Sequence, residues 1–357
     1  MNPDASNNVD GQFEFSGKGG EYFRIWIVNL ALTILTLGIY SAWAKVRRLQ
    51  YFHRNTALIG NSFDYHGNPI AILKGRLIGL GLLAGYNIAF TFNVMFGMIV
   101  LGLLLVALPW LIQRSLCFKL HNSSYRGLRF RFNGSVGGAY ATFLGWPMLN
   151  IPALGLLSPF VQQRIKAYLH NNSAFGTSPF SFSAGPGAFY LLYLKLIGMF
   201  IVPLILFGVL AAAFNVFGGM GDIAGARKDP AQIQKMMMPM IIATLIFYLT
   251  LFLVIGPWFA ARMQNLVWNH TTLGPHAFAS RARARDLLVI YVTNFIGIIL
   301  TLGLFKPFAD IRLAKYRLTH MALQAEGNLD DFFAHEQQSV TALGEETTDI
   351  FDVDISF

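Results

Sequence analysis

Hydrophobic positions in this chain come in long unbroken runs rather than in alternation. Seven apolar segments stand out: Tyr22–Trp43, Ile70–Phe90, Val94–Ile112, Tyr140–Phe160, Phe189–Phe214, Met237–Ala261 and Leu287–Phe308. Each approaches or exceeds the roughly 17–25 residues that cross a hydrocarbon layer as a helix. Charge is scarce inside them: Arg24, Lys74, Arg76, Lys195 and Lys306 are the exceptions, and Lys195 and Lys306 lie near a segment end, where a long side chain snorkels to water. The pattern predicts an integral membrane protein built from α-helices.

Between the runs, a second pattern repeats. Five times an aromatic residue is followed four positions later by arginine: Trp43 and Arg47, Trp110 and Arg114, Phe160 and Arg164, Trp258 and Arg262, Phe308 and Arg312. Proline precedes the aromatic in four copies, at Pro109, Pro159, Pro257 and Pro307, and Ala42 replaces it in the first. Four residues after the arginine come Tyr51, Phe118, Tyr168, Leu266 and Tyr316, and then a polar step such as Asn55-Thr56 or Asn122-Ser123. Spacing by four puts aromatic, arginine and second aromatic on one helical face. Proline suits the first turn and the polar step suits the helix end.

Each polar step leads, after a glycine, to a Phe-x-aromatic run: Phe63-Asp64-Tyr65, Phe130-Arg131-Phe132, Phe180-Ser181-Phe182, with Phe13-Glu14-Phe15 at the start and Phe278 in the last copy. Alternation of this kind predicts a short strand or hairpin. Phe13 to Arg47, Phe130 to Arg164 and Phe278 to Arg312 are each 34 residues apart, while Phe63 to Arg114 is 51 and Phe180 to Arg262 is 82. We therefore expect five internal repeats, about 11–60, 61–127, 128–177, 178–275 and 276–335, three short and two enlarged. The expected fold is an all-α membrane bundle of these repeats, with β-hairpin-like Phe-x-Phe loops between units. The membrane domain covers 1–335, and an acidic, disordered cytoplasmic tail covers 336–357.

The short repeats are interrupted at Leu37-Gly38, Leu154-Gly155 and Leu302-Gly303, and Asn29 and Asn294 each lie nine residues before the glycine. Such breaks suggest re-entrant helix pairs. Two topologies follow. In one, four segments span and the short repeats dip in and return. In the other, all seven span and the motifs alternate sides. Basic residues on one side favour the first, apolar lengths the second. We expect the first, with the C-terminus cytoplasmic in either case.

Charge refines this picture. The chain has 357 residues, 54% hydrophobic and 13% charged, with a formal net charge of +9. That charged fraction is about half the usual value for a soluble domain. Nine acids and no Lys or Arg lie from Glu326 onward, so the rest carries +18. Because the basic residues flank apolar runs, anionic lipid headgroups are the expected partner, and nucleic acid is not. Oligomeric state is not legible. The five arginines read as anchoring or headgroup-contact residues. His53, His121, His170, His270 and His320 follow them by six to eight positions and read as helix-end groups.

The string from Leu35 to Arg47, Leu-Thr-Leu-Gly-Ile-Tyr-Ser-Ala-Trp-Ala-Lys-Val-Arg, with Glu21-Tyr22-Phe23 before it and Asn55-Thr56 and Phe63-Asp64-Tyr65 after it, resembles the YjgN family. The likeness runs over about 11–335. It implies a multi-pass protein of the bacterial inner membrane and carries over no catalytic or ligand residue.

No Walker loop, nucleophile elbow, His-Glu-x-x-His or Cys-x-x-Cys occurs, so no cofactor or metal is expected. The one cysteine, Cys117, reads as an apolar filler. A structural, lipid-interacting or binding role is expected. The alternative is a transporter or channel, with a cavity bordered by Asn29, Asn150 and Asn294. A lipid-modifying enzyme ranks below both, because no nucleophile-base pair is evident.

Overall fold

The computed structural model describes residues 10–216 and 251–347, together with 238, 241, 242, 244, 245 and 247–249. Its centre is a closed barrel of ten strands: β1 (Asp10–Phe15), β2 (Thr56–Leu58), β3 (Asn61–Tyr65), β4 (Ser123–Tyr125), β5 (Leu128–Phe132), β6 (Ser173–Phe175), β7 (Ser178–Phe182), β8 (Thr271–Leu273), β9 (His276–Ser280) and β10 (Met321–Gln324). Every strand pairs antiparallel with its neighbours in sequence, and β1 closes the circle on β10. The expected all-α bundle is therefore wrong. The Phe-x-Phe segments are staves of one sheet, not separate hairpin loops. The second strand type was hidden, because Thr56–Leu58 and its equivalents are only three residues long and resemble the end of a helix cap. A strand this short gains stability only when both edges are paired, which requires all five segments at once.

The strands are joined in two alternating ways. Tight two-residue turns link β2 to β3, β4 to β5, β6 to β7 and β8 to β9. At Ile59-Gly60 and Arg126-Gly127 both turn residues have positive φ, 48° and 70° then 48° and 81°, which hairpins need to match strand twist. The expected unit boundaries after 60, 127, 177 and 275 fall at these four turns. The other connections leave the opposite end of the barrel as helical hairpins. They are α1 (Gly19–Leu35) with α2 (Ser41–Arg54), then α3 (Pro69–Phe92) with α4 (Val94–His121). The third runs through α5 (Val136–Tyr140), a π turn at Ala141–Gly145 and α6 (Trp146–Asn150) to α7 (Ser158–Asn171). In the fourth, α8 (Pro186–Val216) leaves, and a π turn at Leu251–Ile255 leads back into α9 (Gly256–Trp268). The fifth pairs α10 (Ala284–Leu300) with α11 (Lys306–Thr319). Each returning helix also packs on the next departing one, and α11 packs on α1, so the helices ring the axis as the strands do.

The barrel interior is apolar because strand residues alternate inward and outward. Phe13, Phe63, Phe130, Phe180 and Phe278 sit opposite Leu58, Tyr125, Phe175, Leu273 and Leu323. The five phenylalanines form a closed ring, each centroid 6.0–6.4 Å from the next. Gln12, Glu14, Arg129, Arg131 and Ser181 point out to water.

The turn end of the barrel is covered by α12 (Leu329–Thr347), which contains the expected tail boundary at 335/336. Leu329 and Phe333 enter the barrel core. The Glu336 carboxylate accepts N–H bonds from Thr177 (2.6 Å) and Ser178 (3.2 Å) and bonds from both their hydroxyls. Arg126 pairs with Asp330 at 2.6 Å and lies 4.9 Å over the Phe333 ring. Residues 348–357 of the expected tail lie outside the described residues.

Candidate functional site

The returning helices α2, α4, α7, α9 and α11 carry the aromatic-arginine motif, and the same bonds fix them to the barrel. After each of the first four, a hydroxyl donates to the carbonyl four residues back: Thr56 to Phe52 (2.8 Å), Ser123 to Lys119 (3.0 Å), Ser173 to Leu169 (2.7 Å) and Thr271 to Val267 (2.8 Å). This bond turns the polar step from helix into strand. The tyrosines four residues after the arginine tie each short hairpin to its own start. Tyr51, Tyr168 and Tyr316 donate to the carbonyls of Lys18, Ser135 and Arg283 at 3.0, 2.9 and 3.2 Å. Side-chain amides then join neighbouring segments: Gln113, Gln163 and Asn265 donate to Gly134, Ala184 and Ala282 at 3.1, 3.0 and 2.8 Å. Sequence reasoning passed over the two glutamines, although both stand immediately before a motif arginine.

Arg47, Arg114, Arg164 and Arg262 are exposed, and Arg312 is half-buried. Arg114 lies 5.8 Å from the Trp110 ring, and Arg164 lies 4.8 Å from Phe160 and 5.9 Å from Trp146. Arg47 stacks instead on Tyr40 at 5.7 Å. Arg312 donates to Asn294 Oδ1 at 2.8 Å. Trp43 and Trp258 are half-buried on the same helices, and Phe308 packs on Phe23 of α1 at 5.7 Å. The motif pairs thus recur at matching places on five helices, and in three of them, those of Arg47, Arg114 and Arg164, the guanidinium lies over an aromatic face.

The three asparagines do not share one setting. Asn29 and Asn294 are buried in α1 and α10. Asn294 bonds to Arg312 and to the Ala309 carbonyl (3.3 Å), while the Asn29 Oδ1 has no partner. Asn150 bonds to Ser158 across the hairpin tip at 3.0 Å. Trp146 stands eighteen residues before Arg164, where Asn29 precedes Arg47 and Asn294 precedes Arg312, so Asn150 is not their counterpart.

Two histidines sit where helix meets barrel. His53 Nε2 faces the Ser123 hydroxyl at 3.4 Å with its ring 5.5 Å from Tyr65, and His170 Nδ1 faces the Thr271 hydroxyl at 3.3 Å with its ring 5.5 Å from Phe182. Burial, aided by Lys166, pushes His170 down to about 4. Burial also lowers His53, with Lys119 adding to the effect. Both are neutral side chains at neutral pH. No group of three or more His, Cys, Asp or Glu residues that could hold a metal occurs among the described residues. Cys117 is half-buried and contacts Gln113 (3.3 Å).

Three helices among the described residues are long and apolar enough to cross a membrane: Pro69–Phe92, Val94–His121 and Pro186–Val209. The first, fourth and seventh apolar segments are instead broken by tight tips. Leu37, Leu154 and Leu302 stand there at positive φ, each followed by a positive-φ glycine. Bonds from Gly38 to Thr33, Gly155 to Asn150 and Gly303 to Ile298 close the departing helices. The sixth segment lies partly outside the described residues.

A profile described as "Bacterial protein of unknown function (DUF898)" matches residues 10–350, the whole barrel and its helices. The chain belongs to the DUF898 family. Three similar proteins carry the name Inner membrane protein YjgN. That of Salmonella typhimurium is 22% identical over 91% of both chains. Those of Escherichia coli O157:H7 and strain K12 are 31% and 32% identical over 45% and 40% of this chain, covering 40% and 36% of their own lengths. No solved structure matches the chain. The DUF898 match spans every motif residue, and it takes in β10 and α12, so the helix that closes the barrel lies inside the family's extent.

Proposed function

We propose that the chain is a multi-pass protein of the bacterial inner membrane, made of five copies of one ancestral unit. It holds its barrel and C-terminus on the cytoplasmic side and contacts anionic lipid headgroups through its arginine helices. The relatives' names support the location. One observation carries the topology: all ten strands close into one sheet, so every hairpin leaves and re-enters on the same side. Helices α3, α4 and α8 have the length to span. The 17-residue helices α1 and α10 reach about 25 Å, short of a hydrocarbon core of about 30 Å. Their tips present Leu37 and Leu302 at 95% and 96% exposure, apolar groups that suit lipid and not water. The arginines beside aromatic rings suit the headgroup layer. A transport pathway lined by Asn29, Asn150 and Asn294 is less well supported, since two of the three are bonded within the helices.

The test is labelling of intact cells and inverted vesicles, using Ser62→Cys and Ser181→Cys in a Cys117→Ser background. Both positions should be protected in cells and labelled in inverted vesicles. Opposite accessibility of the two would refute the same-side topology.

A further inference from the structure

The helix that covers the barrel, α12, is fastened at three of the four tight turns. Arg126 of the β4–β5 turn pairs with Asp330, and its carbonyl accepts from Gln337 at 2.6 Å. Thr177 and Ser178, at the β6–β7 turn, hold Glu336. At the β8–β9 turn the fastening is a histidine. His276 is only 1% exposed, and its Nδ1 accepts the Glu326 N–H at 3.2 Å, just ahead of the helix. The imidazole meets the Phe332 ring of α12 edge to face, with centroids 4.5 Å apart and planes at 82°. Its Nε2 is buried and has no hydrogen-bond partner.

An imidazole that accepts on Nδ1 carries its proton on Nε2 and is neutral. A second proton takes up the Nδ1 lone pair. Nδ1 then turns an N–H toward the Glu326 N–H, donor against donor, and a cation sits in an apolar mouth. The paired strands β8 and β10 carry no acid or base, and β9 has no other. Along residues 329–339, α12 brings Asp330, committed to Arg126, and Glu336, committed to Thr177 and Ser178. Asp331 and His335 on the same stretch are exposed. Burial is the larger influence on His276 and holds it below the ordinary 6.5, while the Glu326 carboxylate works the other way. Arginine, serine and threonine keep their charge near neutrality, so of the three fastenings the histidine is the one that changes.

We propose that α12 is a pH-operated lid: protonation of His276 breaks its bond to Glu326 and lifts the helix off the barrel mouth. Lifting uncovers an apolar mouth lined by Leu58, Tyr125, Phe175 and Leu273. Burial sets the sign. A released imidazole titrates at its ordinary value and the covered one lower, so closure is complete above pH 6.5 and is lost as pH falls. Within that window each pH unit multiplies the open population by up to about ten. The lid does not depend on which side of the membrane the barrel faces.

The experiment uses the full chain in detergent, with Cys117→Ser and a single reporter thiol, Ala325→Cys. Ala325 is buried in one cluster with Leu329 and Phe333, so a thiol there reacts only when the lid rises. Ser62→Cys, at an exposed site on β3, corrects for the effect of pH on the reagent, dithiodipyridine. The ratio of the two rates should rise about tenfold or more from about pH 7.5 to about pH 5. The rise should follow the uptake of one proton and leave the helical circular dichroism unchanged. His276→Asn offers a neutral acceptor in place of Nδ1 and should keep the ratio low and flat. If that variant does not fold, His276→Gln supplies the same comparison. A flat ratio in the parent would overturn the proposal, as would a rise that survives in the folded variant. A curve steeper than one proton would do the same. So would opening that comes with loss of helix, which is global unfolding through groups such as His170.

Discussion

The ring of Phe13, Phe63, Phe130, Phe180 and Phe278 shows how one residue type, repeated, becomes a core. Each ring packs on the next at 6.0–6.4 Å, so removing one leaves two neighbours unsupported. Phe180→Ala should lower stability by about 3–5 kcal/mol, read as a shift of the unfolding midpoint in detergent, whereas Phe180→Leu should cost about 1 kcal/mol. His170 makes a second residue-scale case. Its folded value, about 4, is below the ordinary 6.5 of a free imidazole, so protonation favours the unfolded chain. Stability tied to this group is complete above pH 6.5 and drains as pH falls toward 4. His170→Leu should flatten the fall in unfolding temperature across that window, and an unchanged acid profile would show that the imidazole does not drive it. The aromatic-arginine spacing was legible at this scale, since identical residues at identical intervals need no structure to be noticed. Its bonding was not: the arginine partners differ, with Asn294 for Arg312, Trp146 for Arg164 and Tyr40 for Arg47.

At the scale of elements, the helices followed their apolar runs, and the tips at Leu37, Leu154 and Leu302 fell at the expected breaks. The strands were half hidden. Phe63-Asp64-Tyr65 announces itself by alternation, but Ser123–Tyr125 is three residues in the wake of a helix, with no period to read. What makes it a strand is the pairing of Tyr125 with Phe63 on one side and with Leu128 on the other. That pairing depends on the turns. Gly60 stands at φ 70° with open space around it, so a side chain there strains the backbone without a clash. Gly60→Val should destabilise by about 1–2 kcal/mol, whereas Gly79→Ala, in the middle of α3 and also in open space, should be neutral or slightly stabilising. Equal effects at the two sites, measured by thermal unfolding, would contradict the turn assignment.

For the whole molecule, closure could not be foreseen from any one segment, because the sheet has no local nucleus and each strand borrows an edge from a neighbour. The covering helix was equally invisible: the tail boundary read at 335/336 falls inside α12, whose Leu329, Phe333 and Glu336 meet the barrel end. Burial works to raise the Glu336 carboxyl, but the bonds from Ser178 and Thr177 outweigh it and hold the group below the usual carboxylate range. Ending the chain before Leu329 should expose the apolar barrel mouth. The expected result is a lower unfolding temperature and new binding of a hydrophobic dye in the membrane-free state, while a truncated chain with wild-type stability would reduce α12 to an ornament on the surface.

The hydrogen bonds between β1 and β10 bear on how the protein is made. Synthesis delivers the first stave some three hundred residues before the last, so for most of that time the nascent sheet is an open arc with a bare rim. Only when residues 321–324 emerge can the arc lock. Once locked, its two ends lie side by side, and the circle no longer records where translation began.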